Sequence, residues 1–327
     1  MGFWEVFSSL PRPAQEGAYT VESREAEYRV ARSTEDFPAL IIEFKHRASS
    51  APRRLANLAY IPPSSVEVIA ADGSVANAHL AVLECRSIDP ELSRYFFRIT
   101  RAILIENEGA ANETGFEHAL DTLVRLFRAL RRTATRSLQG LWAELAIIYW
   151  SKNPHLAISS WHSAPTALHD FASGACRFEV KSTQRPVREH HFRLNQLLVS
   201  QTGNTLVASL LLKEGHNGES VRGLSDLIAG RLKGSSESAA RLEAIIVESL
   251  GADWKASEDV RFLLDEALGT LRIYNAIDIP SVPEPLPAEV KDVHFVADLS
   301  GLHPMTLTSV RNLAPLYAQL LPEMDSY

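Results

Sequence analysis

Asp170, Glu179 and Lys181 are the residues whose types and spacing most resemble a reaction centre. They stand in His169-Asp170-Phe171, then a turn containing Gly174, then Phe178-Glu179-Val180-Lys181-Ser182-Thr183. On a strand, residues two apart share a face, so Glu179 and Lys181 point one way while Phe178 and Val180 point into a core. A hairpin through Gly174 brings Asp170 beside them. Two carboxylates converging at a strand end make a hard-oxygen site suited to Mg²⁺ or Mn²⁺, which accept one or two carboxylates plus waters and substrate phosphate. A bound divalent ion activates water and neutralises charge on a phosphoryl group, the two requirements of phosphodiester hydrolysis. Lys181 is placed to orient or deprotonate that water and to offset developing charge. Without an ion the two carboxylates repel and raise one another's pKa. Glu144, on a helix expected over about Ser137–Trp150, is a further candidate ligand, read at the border of an apolar stripe and looking over the sheet edge towards the site. A second Glu-x-Lys at Glu43-Phe44-Lys45, with Asp36 upstream, lacks a preceding acid-bearing helix and a following basic stretch, and ranks below.

Cations gather around the first of these motifs. Arg177, Lys181, Arg185, Arg188 and Arg193 lie with His190 and His191 in one stretch, read as a charged loop in which both histidines are solvated. Arg128, Arg132 and Arg136 recur every four residues, the spacing of one helical face. The formal net charge is −7 over 327 residues, which argues against a protein that coats nucleic acid by bulk electrostatics. A local basic surface is compatible with that balance.

The elements that must position the motif follow from periodicity. The first 115 residues alternate extended stretches (Ala26–Ala31, Ala39–Phe44, Val66–Ala70, His79–Cys85) with turn residues at Pro62–Pro63 and Asp72-Gly73, then a helix from about Pro90 towards Ile105. Glu106–Gly115 reads as a linker, so residues 1–115 form an expected β-rich module. From Phe116 apolar residues recur at helical spacing. The helix over Ser137–Trp150 should stop before Asn153-Pro154. Extended segments at Ile158–His162, Ala167–Phe171 and Cys176–Ser182, a helix opening at Leu194–Leu198 and a strand at Thr205–Leu212 give an α/β pattern for a core over 116–215. Residues 216–327 read as mainly helical (Asp226–Leu232, Ala239–Leu250, Val260–Leu268, Thr306–Leu321) with strands at Leu271–Ala276 and Val293–Leu299. Trp142 and Trp161 read as core.

Composition sets the class. Apolar residues make up 46% and charged residues 22%, as expected of a chain that folds around a sizeable core. Cys85 and Cys176 are far apart and outside any CxxC or Cys/His cluster, which points away from a disulfide scaffold or a zinc site. No signal-peptide pattern opens the chain and no apolar run approaches the roughly 20 residues of a membrane span, so a soluble, cytoplasmic protein is expected. No GxxxxGK[ST], GxGxxG or GxSxG motif supports nucleotide or esterase chemistry.

The run Gly140-Leu141-Trp142-Ala143-Glu144-Leu145, then Trp161-His162, His169-Asp170-Phe171, Phe178-Glu179-Val180-Lys181-Ser182-Thr183, His191 and Asn195-Gln196-Leu197 resembles a bacterial family of PD-(D/E)XK motif proteins. Tyr274-Asn275-Ala276 and Val296-Ala297-Asp298-Leu299-Ser300 resemble that family's ending. The resemblance implies a restriction-endonuclease-like fold, a central mixed sheet flanked by helices with the metal site at its edge. It maps the family's acidic trio onto Glu144, Asp170 and Glu179, its lysine onto Lys181, and a helix glutamine near the active site onto Gln196. His191 matches a position of unclear role, and His169 stands where the motif's name has proline. Ser182, Thr183, Arg185, His191 and Gln196 are the candidate substrate contacts, although Ser182 and Thr183 equally suit a strand end. The implied activity is DNA cleavage with Mg²⁺ or Mn²⁺, beside ATPase or helicase subunits of an anti-phage system. The alternatives are a non-catalytic subunit that binds DNA or partners, and an RNA-directed nuclease.

Overall fold

The computed structural model describes residues 2–22, 28–44, 51–70, 72–105, 113–162, 167–197, 205–232, 235–283 and 285–322. The chain divides into two compact units, residues 1–131 and 132–327.

The first unit forms α1 (Phe3–Ser9), β1 (Tyr19–Val21), β2 (Tyr28–Ser33), β3 (Pro38–Ile42), β4 (Arg53–Arg54), β5 (Ala59–Ala70) and β6 (Val75–Glu84). Then come α2 (Pro90–Thr100), a π-helical turn at Arg101–Ile105, and α3 (Glu113–Ala129). The sheet order is β1-β2-β3-β6-β5-β4, and a parallel pairing of β1 with β5 closes the sheet on itself. Closure pairs the β1 edge, leaves only the two-residue β4 at the rim, and encloses a core of Val21, Ala31, Ile41, Val68 and Val82. The Pro62–Pro63 pair does not separate strands as expected. It sits inside β5 where the register against β6 shifts between Ile61 and Ser64, a bulge that tolerates residues lacking an N–H donor. Of the expected linker, residues 106–112 lie outside the described residues, and Glu113–Gly115 already belong to α3.

The second unit runs α4 (Leu138–Trp150), α5 (Pro154–Ser160), β7 (Phe171–Ser173), β8 (Cys176–Thr183), β9 (Glu189–Arg193), α6 (Leu194–Leu197), β10 (Thr205–Leu211) and β11 (Glu214–Ser220). It continues α7 (Val221–Arg231), α8 (Ser236–Leu250), β12 (Arg261–Phe262), α9 (Leu264–Thr270), β13 (Arg272–Asn275), β14 (His294–Asp298), α10 (Leu307–Leu313) and α11 (Pro315–Leu320). The central sheet is mixed, in the order β13-β10-β8-β7. β8 runs parallel to β10 and antiparallel to β7, while β13 is antiparallel to β10. β14 pairs with β9, and β11 with β12.

Several elements differ from their sequence patterns. Ile158–His162 is helical up to Ser160 and extended only from Trp161, which bridges to Phe171: Asn153 caps a new helix by accepting from the Leu156 amide, Pro154 occupies its first turn, and α5 runs to Ser160. Val260–Leu268 is a short strand followed by a helix, and Thr306–Leu321 is broken at Ala314, whose extended backbone precedes Pro315. α4 carries no single apolar stripe, because Leu141 through Ile148 are all buried, as in a helix wrapped by core on every side. Among the described residues, no helix is long and apolar enough to cross a membrane.

α4 and β8 meet in one core, with Phe171, Phe178, Leu206, Ile273 and Tyr317 around them, each completely buried. Phe178→Ala is therefore expected to destabilise the protein by about 3–5 kcal/mol, read from urea denaturation midpoints. A loss below roughly 1 kcal/mol would contradict this placement of β8.

Candidate active site

Alternation along β8 sorts its side chains as the sequence suggests. Phe178 and Val180 are buried in the core, and Glu179 and Lys181 project from the opposite face into a cleft of about 330 Å³. Gly174, with φ 55°, makes the turn from β7 to β8 in a backbone region that favours glycine. Phe171 pairs with Phe178, so Asp170 falls opposite Glu179, one step beyond the last paired residues. There its Oδ2 accepts a 2.8 Å hydrogen bond from the Val180 amide.

Glu179 is 4% exposed. Its Oε1 accepts from Lys181 Nζ at 2.6 Å and from Gln196 Nε2 at 2.7 Å. Its Oε2 is buried with no hydrogen-bond partner. Burial, then the neighbouring Asp170 charge, push its carboxyl up to about 7 against the opposing pull of Lys181. Gln196 fixes the arrangement from α6, since Nε2 also donates to the Leu168 carbonyl and Oε1 accepts from the Arg193 amide. Lys181 Nζ lies 5.2 Å from the centre of the Phe192 ring, an apolar wall that leaves the ammonium few directions.

The other expected residues divide. Ser182, Thr183 and Arg185 line a second cleft of about 670 Å³, and Lys181 and His191 line both clefts. Ser182 Oγ exchanges hydrogen bonds with Gln139, Thr183 Oγ1 accepts from the Arg185 amide at 3.1 Å, and exposed Arg185 pairs with Glu189 at 3.5 Å. Glu144 is not at a half-exposed helix border. It is 5% exposed within the all-round-buried α4, where Oε2 accepts from Trp161 Nε1 at 2.6 Å and from Arg136. Burial and then Asp170 raise its carboxyl well above the usual range.

The basic stretch is also partly structural. β9 alternates, burying His190 and Phe192 and exposing Glu189, His191 and Arg193, so the expectation of two solvated histidines holds for His191 alone. His190 Nε2 lies 2.7 Å from Ser209 Oγ, and burial with nearby Lys181 and Arg188 lowers its pKa to about 4. Arg188 is bound to Ser209 and the Thr270 carbonyl, and Arg177 to the carbonyls of Gly174 and Cys176. α3 ends at Ala129, so Arg132 and Arg136 do not continue its face. At the weaker motif, Glu43 pairs with Arg29, and Lys45 lies outside the described residues.

Among the described residues, no three His, Cys, Asp or Glu side chains are grouped to hold an ion. Asp170 and Glu179 still suit a hard divalent cation, because Mg²⁺ needs only one or two protein carboxylates and Glu179 Oε2 has no other partner. The sequence named Arg136 only as part of a basic helical face and His169 only as a motif neighbour; in the structure Arg136 lines the first cleft, and the buried His169 ring supports α6 by contacting the Gln196 carbonyl at 3.0 Å.

A family model described as "Putative PD-(D/E)XK family member, (DUF4420)" matches residues 4–300. The chain belongs to this family. The match spans both units, so the β-rich first unit is part of the family's architecture rather than an appendage. Membership places the chain in a class of nuclease type. No curated protein and no solved structure matches it.

The raised carboxyl of Glu179 has a thermodynamic consequence. A folded pKa above the ordinary 4.5 means the protonated form favours folding, so this stabilisation is complete below 4.5 and is lost as pH rises through about 7. In chelator, stability should fall by on the order of 3 kcal/mol between about pH 5 and pH 8, and Glu179→Gln should flatten that slope. Denaturant unfolding at both pH values checks it; equal slopes in the two proteins would refute it.

Proposed function

We propose that this protein is a divalent-metal-dependent nuclease that hydrolyses DNA phosphodiester bonds, built on a restriction-endonuclease-like mixed sheet. The observation that carries the proposal is the buried, unpartnered Oε2 of Glu179 beside Asp170, with Lys181 in contact on the same face. Asp170 and Glu179 would hold Mg²⁺ or Mn²⁺, which when bound lowers the pKa of a water and draws charge from a phosphate.

The chain's own groups supply the rest. Gln196 holds the Glu179 carboxylate in one orientation while leaving Oε2 free. Lys181 keeps a positive charge at the cleft, where it orients the attacking water and offsets charge on the phosphoryl oxygens. The two clefts meet at Lys181 and His191, which suits a polymer: a scissile phosphate in the first and a neighbouring phosphate near Ser182, Thr183 and Arg185 in the second. DNA is the substrate that a nuclease of PD-(D/E)XK type leads us to propose. The acidic overall balance fits delivery to DNA by other proteins, and the resemblance to anti-phage components names ATPase or helicase subunits in the cytoplasm as those partners. Recognition of substrate or partner falls to the closed β-sheet of the first unit.

Single- and double-stranded DNA of linear and circular form, incubated with Mg²⁺ or Mn²⁺, should be cleaved by the wild type and spared in chelator. Asp170→Ala and Lys181→Ala should each reduce the rate at least about a hundredfold with an unchanged circular-dichroism spectrum. Cleavage insensitive to both substitutions would refute the assignment. Intact partner binding without any calorimetric ion binding would instead favour a non-catalytic subunit.

A further inference from the structure

Glu144 is close enough to the site for Asp170 and Glu179 both to raise its carboxyl, yet it is not among the residues lining the cleft. Arg136 stands in between. One guanidinium nitrogen donates to Glu144 Oε2 and the other to the His162 carbonyl, while the His162 amide donates to the Asp170 carbonyl at 2.9 Å. Arg136 thus ties the third carboxylate to the segment that carries Asp170, and it lines the cleft itself. Its ring neighbour Trp161, 5.7 Å away, donates to the same Glu144 oxygen. The segment bearing Arg136 is anchored, because the Thr135 amide donates to Ser249 O at 2.9 Å and the Ala252 amide to Arg132 O at 2.8 Å.

We infer that Arg136 occupies the place of a second metal ion: it neutralises Glu144 permanently, and the site takes one divalent cation, between Asp170 and Glu179. This inference rests on the metal reading given under Proposed function. With all three carboxyl groups ionised, Lys181 and Arg136 leave one negative charge, one divalent ion turns that to one positive, and a single phosphodiester matches it. A second divalent ion would find Glu144 Oε2 already taken by two donors. Arg136 is accordingly a positioning residue, whose removal exposes a binding oxygen rather than deleting one.

Titration with Mn²⁺ alone, followed by calorimetry and by electron paramagnetic resonance of the free ion, tests this without turnover. The wild type should bind one Mn²⁺ per chain. Glu144→Gln should keep that ion with affinity within about threefold, whereas Asp170→Asn should weaken it by about a hundredfold or more. Arg136→Gln should raise the stoichiometry to two, and Arg136→Lys should return it to one. Loss of the ion in Glu144→Gln, two ions in the wild type, or one ion in folded Arg136→Gln would overturn the inference. A wild type that binds no Mn²⁺ would overturn the metal reading itself. Because Glu144→Gln keeps the shape of α4 and swaps one acceptor group for an amide, its result stands even where Arg136→Gln does not fold.

Discussion

Burying a carboxylate costs several kcal/mol unless charge or hydrogen bonds compensate it, and Glu179 is buried beside a second carboxylate on a strand whose other face is core. Much of the second unit answers that constraint. Lys181 follows two residues later on the same face, α6 delivers Gln196 to one oxygen, and Phe192 on β9 limits where the ammonium goes. Only one carboxylate oxygen is provided for. That half-satisfied acid at a cleft is the feature on which the proposed cation site rests.

The same constraint appears twice more with different solutions. Glu144 is buried as deeply and is satisfied within the protein, by a guanidinium and an indole N–H. Asp170 is half-buried at the start of β7, where the Val180 amide fixes one oxygen and water reaches the carboxylate. The three acids are therefore not equivalent: one is neutralised from inside, one is open, and one is held incomplete. Dividing roles through environment rather than residue type lets similar carboxyl groups serve different ends.

What was legible in the sequence follows from which rules depend on local geometry alone. The shared face of Glu179 and Lys181 needed only the two-residue period of a strand, and the return of Asp170 needed only a hairpin through Gly174. Gln196 was reached by resemblance, because nothing local tells a helix glutamine that it faces a strand two elements earlier. The misreadings came from tertiary context. Arg128, Arg132 and Arg136 have helical spacing, but α3 ends at Ala129 and Arg136 turns to Glu144. His190 lies in a charged run, yet strand alternation and Ser209 bury it. Glu144 looked like a border position because a helical wheel assumes one solvent face, and α4 has none over Leu141–Ile148. The closure of the first sheet by β1 against β5 joins strands nearly fifty residues apart, beyond any local pattern.

The central claim is that Asp170 and Glu179 share one hard cation, which the unpartnered Oε2 of Glu179 is kept to receive. Diffraction from crystals soaked in Mn²⁺, collected to use its anomalous signal, observes this directly. A single anomalous peak within bonding distance of Glu179 Oε2 and an Asp170 oxygen, with none at Glu144, is the result expected. Density without a peak between those two carboxylates, at Mn²⁺ concentrations that saturate other divalent sites, would contradict it.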